Sequence, residues 1–396
     1  MKIFIADKLS PKTVAALEQL GAAVTVNADI KDDALGAALA DTEVLIVRSK
    51  RVQAAAIAAA PQLSLIIRAG AGVNTIDLTE ASRRGIFVAN CPGKNTDAVA
   101  ELVLGLLIAA DRRIADAAAD LRAGKWRKKE YGKAAGLKGR TLGIIGLGAI
   151  GAAVARRAQG LDMKVIAWSR SLTPARAAAL GIGGCATPAE VAEKADAVTV
   201  HVAGSKATNQ LIGAEFFARM KPGALFLNTS RGDVVDPAAL KEAIKTKKLR
   251  VGLDVFAGEP AGGEAEFPDR ELAAMVTGTP HIGASTEQAE EAIAEEVVRI
   301  VKEYGETGKP PNTVNLRARS TAVTNLVVRH YNRVGVLAGI LDELRNEGVN
   351  IEEMENTIFE GGETASCTLR LDDRPSEVLL AKTRANPNVI QASVTG

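Results

Sequence analysis

Short apolar runs and apolar positions at helical spacing alternate from the first residues of the chain. Residues 3–5 read as a strand, 13–20 as a helix closed by Gly21, 23–26 as a strand, 33–40 as a helix and 44–47 as a strand. A helix near 54–60 and a strand over 65–67 continue the series. Short buried strands alternating with helices predict a parallel sheet covered on both faces. A longer helical pattern, 96 to about 123, carries Ala100, Val103, Leu104, Leu107 and Ile108 at helical spacing and reads as one bridging helix. The alternation then restarts around residue 143, with strands at 165–168, 197–200, 224–228, 251–255 and 275–277, which makes a second doubly wound sheet. After a Pro- and Asn-containing stretch without apolar period, residues 322–396 give the order strand, helix, strand, strand, helix, strand, a ferredoxin-like βαββαβ unit. The fold class is therefore α/β: two doubly wound parallel-sheet lobes, Rossmann-like or flavodoxin-like, plus a small C-terminal domain.

The join between the bridging helix and the second sheet carries the most specific chemistry. Thr141 to Gly151 reads TLGIIGLGAIG, a strand that turns through Gly146, Gly148 and Gly151 into a helix starting near Ala149 and Ile150. This is G-x-G-x-x-G in the strand-turn-helix setting that marks a dinucleotide site. Gly146 allows the tight turn, Gly148 leaves room for a pyrophosphate, Gly151 lets helix and strand pack closely, and the helix N-terminus offers free N–H groups to the anion. Roughly 20 residues on, where an acidic residue commonly meets the adenosine ribose, stand Trp168, Ser169, Arg170 and Ser171. A hydroxyl followed by a cation suits a 2′-phosphate, so NADP is permitted alongside NAD.

Composition narrows the function classes. A chain of 396 residues exceeds one ordinary core. With 49 Lys+Arg against 47 Asp+Glu and no basic block, nothing favours a nucleic-acid partner. Asp7 interrupts the N-terminal apolar run before it reaches signal-peptide length, and no apolar stretch of about 18 residues follows, so the expected location is cytoplasmic and away from membranes. Cys91, Cys185 and Cys367 are far apart and odd in number, and read as buried small residues with no disulfide or metal role.

Two strand ends in the first sheet carry further candidates. Arg48, Ser49, Lys50 and Arg51 follow one strand, either as a solvated loop or as an anion site. Arg68 to Asn74 stand at the next, and the glycines of Gly70 to Asn74 serve either as a plain turn or as a row of N–H groups for a carboxylate. In the second sheet, Arg231, Glu259 and His281 each lie just beyond one of three successive strands, where a cation, a carboxylate and an imidazole can converge on one crevice.

The fingerprint, SRG at 230–232, DVF and EP within 254–260, and PHIGAST at 280–286 together resemble the D-isomer-specific 2-hydroxyacid dehydrogenases over residues 1–310. The resemblance implies a substrate lobe of 1–93 completed by 281–310, a dinucleotide lobe of 94–280, a linker at 311–321 and an ACT-like regulatory domain at 322–396. It implies that Arg231 holds the substrate carboxylate, His281 exchanges the C2 hydroxyl proton as hydride passes to or from the nicotinamide, and Glu259 orients the imidazole. Gly72, Val73 and Asn74 would add contacts to the carboxylate. Thr229, Ser230, Asp254, Gly283 and Ala284 would line the nicotinamide pocket. Arg48, Ser49 and Lys50 would meet a phosphorylated 2-hydroxy acid at its phosphate. His330, Asn332 and Asn350 match effector-contacting positions of the ACT-like domain, where imidazole and amides suit an amino acid such as L-serine. A homo-oligomer, dimer or tetramer, is implied as well. Two alternatives stay open: a hydroxypyruvate or glyoxylate reductase of the same family, and a protein that senses NAD(P) without turnover.

Overall fold

The computed structural model describes residues 1–260, 264–317 and 320–395. Ala318 and Arg319, inside the segment read as a linker, and Gly396 at the end of the small domain lie outside the described residues, as do residues 261–263. The chain divides into two compact units, Met1–Asn315 and Leu316–Gly396.

Strands β1 (Lys2–Ile5), β2 (Ala23–Val26), β3 (Val44–Val47), β4 (Leu65–Arg68) and β5 (Phe87–Asn90) form a parallel sheet in the order β2-β1-β3-β4-β5. All four residues of β3 are buried. Leu45 and Val47 join the apolar cluster on one face, and Val44 and Ile46 that on the other, as the two-residue side-chain period requires. β5 escaped the sequence reading because its four residues follow Arg83-Arg84-Gly85 with no alternation of their own. One face of this sheet is covered by the helix Glu287–Thr307, from near the end of the unit, whose Ile293, Val297, Ile300 and Val301 form a stripe at helical spacing.

The second sheet contains β6 (Thr141–Ile145), β7 (Lys164–Trp168), β8 (Gly183–Gly184), β9 (Ala197–Val200), β10 (Leu225–Asn228), β11 (Arg250–Leu253) and β12 (Thr277–Gly278), in the order β12-β11-β10-β9-β6-β7-β8. The order reverses between β6 and β9, and ligands of doubly wound sheets collect outside such a switch point. Helix Thr96–Arg112 covers one face through Val99, Val103, Leu106 and Leu107.

Two expected elements differ. The bridging helix breaks at Arg113, whose backbone is left-handed (φ 52°), and resumes as Ile114–Arg122. Just before the break, the buried Asp111 carboxylate accepts from the Gly136 N–H at 3.1 Å and from Arg140 at 3.2 Å, while Arg113 turns to Asp116 and Glu130. The strand expected at 275–277 is shifted. A helix, Arg270–Met275, started by Asp269 accepting from the Leu272 N–H at 3.1 Å, runs into this stretch, and only Thr277 and Gly278 pair with β11. Cys91 and Cys367 are buried, whereas Cys185 is only half-buried. Among the described residues no helix is long and apolar enough to cross a membrane.

The second unit holds β13 (Thr324–Tyr331), β14 (Ile351–Ile358), β15 (Thr364–Leu371) and β16 (Val389–Thr395), antiparallel in the order β14-β15-β13-β16. Helices Val336–Glu347 and Glu377–Ala385 pack Ile340, Leu344, Leu379 and Leu380 onto Leu326, Val328 and Leu369. This is the ferredoxin-like arrangement.

The covering helix Glu287–Thr307 is pinned by a nearly buried carboxylate. Glu296 accepts from Arg299 at 2.5 Å and from the Asn312 amide at 2.6 Å, and pairs with Lys94 at 3.2 Å. Hydrogen bonding to Arg299, only partly opposed by burial and reinforced by Lys94 and Asn312, holds this carboxyl down at about 2. A folded-state value below the ordinary one stabilises the fold above the ordinary carboxylate range, and that contribution is lost as pH falls through the folded-state value. Glu296→Gln should therefore cost about 1–2 kcal/mol in urea unfolding at neutral pH, with the gap to wild type closing below about pH 4.5. A gap that stays constant with pH would assign the loss to packing instead of charge.

Candidate active site

The β6 loop is shaped by what glycine lacks. Gly146 has φ +98°, and a Cβ there would lie 2.6 Å from the His201 carbonyl oxygen at the end of β9. A Cβ on Gly151 would lie 2.3 Å from the Gly146 carbonyl oxygen, so the helix Ala149–Gly160 closes directly onto the turn. Gly148 is the opposite case: its Cβ would meet no atom within 4 Å. The open space lies at the N-terminus of a twelve-residue helix beginning with Ala149 and Ile150, so the residues present fit a dinucleotide pyrophosphate. Ser169 and Arg170 follow β7 beside this loop, because the Gly146 N–H donates to the Trp168 carbonyl at 2.8 Å. His201, missed in the sequence although it directly follows a strand, sits with Nε2 3.0 Å from the Thr199 hydroxyl. Burial pushes its imidazole down to about 4, so it is neutral at physiological pH.

Beyond β10, β11 and β12 the three candidate catalytic side chains share one crevice. Asn228 is buried and braces the first turn, donating to the Arg231 carbonyl at 2.8 Å and accepting from the Ser230 N–H at 2.9 Å and hydroxyl at 2.7 Å. Gly232 lets this turn meet the next one: a Cβ would lie 2.0 Å from the Phe256 carbonyl carbon. In that second turn, Glu259 accepts from the Phe256 N–H at 2.8 Å through one carboxylate oxygen and lies 2.7 Å from His281 Nδ1 through the other. Burial alone would raise Glu259, but its hydrogen bonds to His281 and Phe256, with the charge of Arg231 nearby, outweigh this and hold it below the usual carboxylate value. With Nδ1 engaged, Nε2 of the half-exposed His281 is the atom left to exchange a proton.

His281 itself has a left-handed backbone (φ 54°), a conformation that costs a residue with a Cβ about 1–2 kcal/mol. It is imposed by Asp254, which is 1% exposed and accepts from the Thr279 hydroxyl at 2.7 Å and from the N–H groups of Ile282 at 2.8 Å and Gly283 at 2.9 Å. The Asp254 carboxylate is thus spent on the turn carrying His281, and a Cβ on Gly283 would press to 2.8 Å from it. Thr229 is buried beside this crevice with no hydrogen-bond partner for its hydroxyl among the described residues. Ala284 is half-buried in the same turn.

Arg231 also reaches the first sheet. Its Nη2 occupies the place a Cβ on Gly72 would take, 2.1 Å away, and its stem passes Gly204, so both glycines make room for the guanidinium. Gly72 and Val73 are half-buried and Asn74 is exposed in the loop it covers. The adjoining Arg68, at the last position of an otherwise apolar strand, opens the second strand end singled out in the sequence, where only the residues after it were given a role. Burial pushes its guanidinium down to about 10, aided by the charges of Arg231 and Arg48, and its Nε has no partner among the described residues. The expected cluster after β3 is largely engaged with the protein. Asp7 accepts from the Arg48 N–H at 2.7 Å, the Ser49 N–H at 3.1 Å and the Ser49 hydroxyl at 2.6 Å. Arg48 pairs with Glu290 at 2.9 Å, Lys50 donates to the Ile30 carbonyl, and Arg51 is exposed.

Within the second unit, His330 is 2% exposed and both ring nitrogens have partners, the Tyr331 carbonyl at 2.8 Å and Asn356 Oδ1 at 3.3 Å. Asn332 donates to the Gly362 carbonyl at 2.9 Å, and Asn350 is exposed, its N–H bonded to Asp372 at 2.8 Å.

Comparison with known proteins agrees with this geometry. Residues 104–283 match the family described as D-isomer specific 2-hydroxyacid dehydrogenase, NAD binding domain. A D-3-phosphoglycerate dehydrogenase of Mycobacterium tuberculosis is 39% identical over 349 residues, 86% of this chain and 64% of the relative, so the chain spans just under two thirds of that relative's length. A glyoxylate reductase of Thermococcus litoralis is 40% identical over 65% of this chain and 78% of its own. The crystal structure of the TT0316 protein from Thermus thermophilus superposes with a TM-score of 0.71 at 33% identity, over 79% of this chain and all of that one. With the glycine loop, the histidine–glutamate pair and the half-buried Arg231 in the matched region, the chain belongs to the D-isomer-specific 2-hydroxyacid dehydrogenase family.

Proposed function

We propose that the chain interconverts 3-phospho-D-glycerate and 3-phosphohydroxypyruvate with a nicotinamide dinucleotide, as a D-3-phosphoglycerate dehydrogenase does. The observation that carries this reading is the pair of largely buried guanidinia, Arg68 and Arg231, with Arg48 beside them. Buried cations that repel one another are costly unless an anion joins them. One carboxylate satisfies Arg231; a second anionic group on the substrate gives Arg68 and Arg48 their partner. The Arg48–Glu290 pair is partly exposed and hence weak, so Arg48 can exchange Glu290 for a phosphate.

In this mechanism Arg231 forks onto the substrate carboxylate, supported by N–H groups of Gly72 to Asn74, and fixes the C2 hydroxyl toward His281. His281 Nε2 takes the hydroxyl proton during oxidation and returns it during reduction, while Glu259 on Nδ1 fixes the ring and stabilises its cation. The bound nicotinamide supplies the hydride acceptor or donor. A glyoxylate reductase is the second reading, favoured by the 40% identical relative. A sensor without turnover has no use for a histidine held in a strained backbone against a carboxylate. The effector residues support a weaker regulatory role, since His330 already spends both ring nitrogens inside its own unit.

His281→Ala should lower kcat by about 10²- to 10⁴-fold while dinucleotide affinity stays close to wild type, with Glu259→Gln falling between. Wild-type kcat in the alanine variant would remove His281 from the reaction. Arg68→Gln should raise KM for phosphohydroxypyruvate by about tenfold or more and leave glyoxylate reduction within a few-fold. Equal losses on both substrates would argue for the reductase reading. Calorimetric titration with L-serine should give saturable heat that Asn350→Ala removes; no heat with wild type rules out the effector site.

A further inference from the structure

A polar cavity of about 140 Å³ lies where the helix Thr96–Arg112 ends against the start of β11. The short helix Lys128–Tyr131 and the chain just after it close its other side. Arg250 is the first residue of β11, and Asp254, which fixes the histidine turn, follows its last, so this cavity and the catalytic crevice sit at opposite ends of one strand. The space is about ten times what one ordered water requires.

Four cations line it, Arg112, Arg113, Lys133 and Arg250, against two carboxylates, Asp111 and Glu130. Both carboxylates already have partners. Asp111 is buried and accepts from the Gly136 N–H at 3.1 Å and from Arg140, a cation outside the lining, at 3.2 Å. Glu130 accepts from Arg113 at 2.6 Å, a bond that holds its carboxyl below the ordinary value and raises the guanidinium. Arg112, Lys133 and Arg250 have no ion pair among the described residues. Arg250 is anchored by a single side-chain bond, Nη1 to the Asp111 carbonyl at 2.6 Å, which leaves most of its guanidinium donors free.

The ordinary explanation of such a cluster is the negative end of a helix, which attracts cations in its last turn. It accounts for Arg112 and for Arg250, which caps a carbonyl of that turn. It does not account for Lys133, which lies outside any helix, or for Arg113, which stands in left-handed backbone where the next helix begins. Water can solvate the exposed heads of Arg112 and Lys133, but it leaves the excess of like charge around one cavity uncancelled.

We infer that this cavity is an anion site, separate from the catalytic crevice, in which Arg112, Lys133 and Arg250 hold a small dianion of the phosphate class. The excess of two positive charges in the lining matches such an ion, and the free N–H groups of Arg250 suit its oxygens. The inference does not depend on which substrate the crevice takes.

Fluorine NMR on the full chain carrying ring-fluorinated tyrosine tests it. Tyr131 lines the cavity with the Arg113 guanidinium 4.9 Å from its ring centroid, whereas Tyr304 packs on Phe87 and Tyr331 lies in the second unit. Inorganic phosphate, added at constant ionic strength, should shift the Tyr131 resonance saturably with a midpoint of about 1 mM and leave the other two in place. Arg112→Gln and Lys133→Gln, both at exposed positions, should each raise the midpoint several-fold, and together by about tenfold or more. Arg231→Gln, in the crevice, should leave it unchanged. A Tyr131 resonance that phosphate does not move overturns the site. So does a midpoint that follows Arg231→Gln but ignores the Arg112 and Lys133 variants, because the ion then sits in the crevice. A response to chloride equal to that with phosphate also overturns it, by reducing the effect to screening.

Discussion

A single buried carboxylate holds the reaction centre together. Asp254 has almost no contact with solvent, and its oxygens collect donors from Thr279, Ile282 and Gly283, the residues on either side of His281. Charge-assisted bonds of this kind are worth more than neutral ones, and burial makes leaving them unmade costly. They overcome the penalty of a left-handed histidine and thereby aim its ring at Glu259. If the turn relaxed, the pair would separate, and Arg231 would be left without the carboxylate that partly compensates its burial.

That arrangement depends in turn on the sheet. Parallel strands with apolar side chains on both faces leave polar residues only at their ends, so β10, β11 and β12 deliver Arg231, Glu259 and His281 side by side from positions far apart in sequence. Close backbone approaches at Gly72 and Gly232 then bring the loops from both sheets within reach of one small anion.

The chain's organisation was legible because its signals are local. The glycine spacing, the helix beginning at Ala149, and the alternation over β1, β3, β4, β6, β7 and β9 each follow from a period or a turn rule. The βαββαβ order of the small unit could be read for the same reason. What escaped was set by distant partners. Arg113 breaks a continuous apolar stripe because of contacts with Glu130 and Asp116, and the 275–277 run lost most of its strand to a helix capped by Asp269. Within the site, Arg68 reads from sequence only as a charge at the end of an apolar strand, and the packing around it is what leaves its Nε without a partner among the described residues. Asp254 falls among the residues expected beside the nicotinamide, but that its oxygens are used on the histidine turn emerges only when the two strand ends are placed together. Likewise, the bond from Arg176, in the helix Pro174–Ala179, to Leu147 in the glycine loop joins residues that no sequence period connects.

The helix Glu287–Thr307 lies on the first sheet yet is made after the whole of the second. On a ribosome, β1 to β5 therefore emerge with one apolar face covered only in part, by Leu17 and Val14 of the helix Pro11–Gln19, and Ile293, Val297, Ile300 and Val301 arrive only after just over two hundred further residues have been added. The inserted sheet has all its strands before its host has its cover. Domains generally fold as units in the order they leave the exit tunnel, but here the order of completion is inverted. The first-made sheet is the last to be finished, and until then its half-covered face is a part of the nascent chain in need of protection from aggregation.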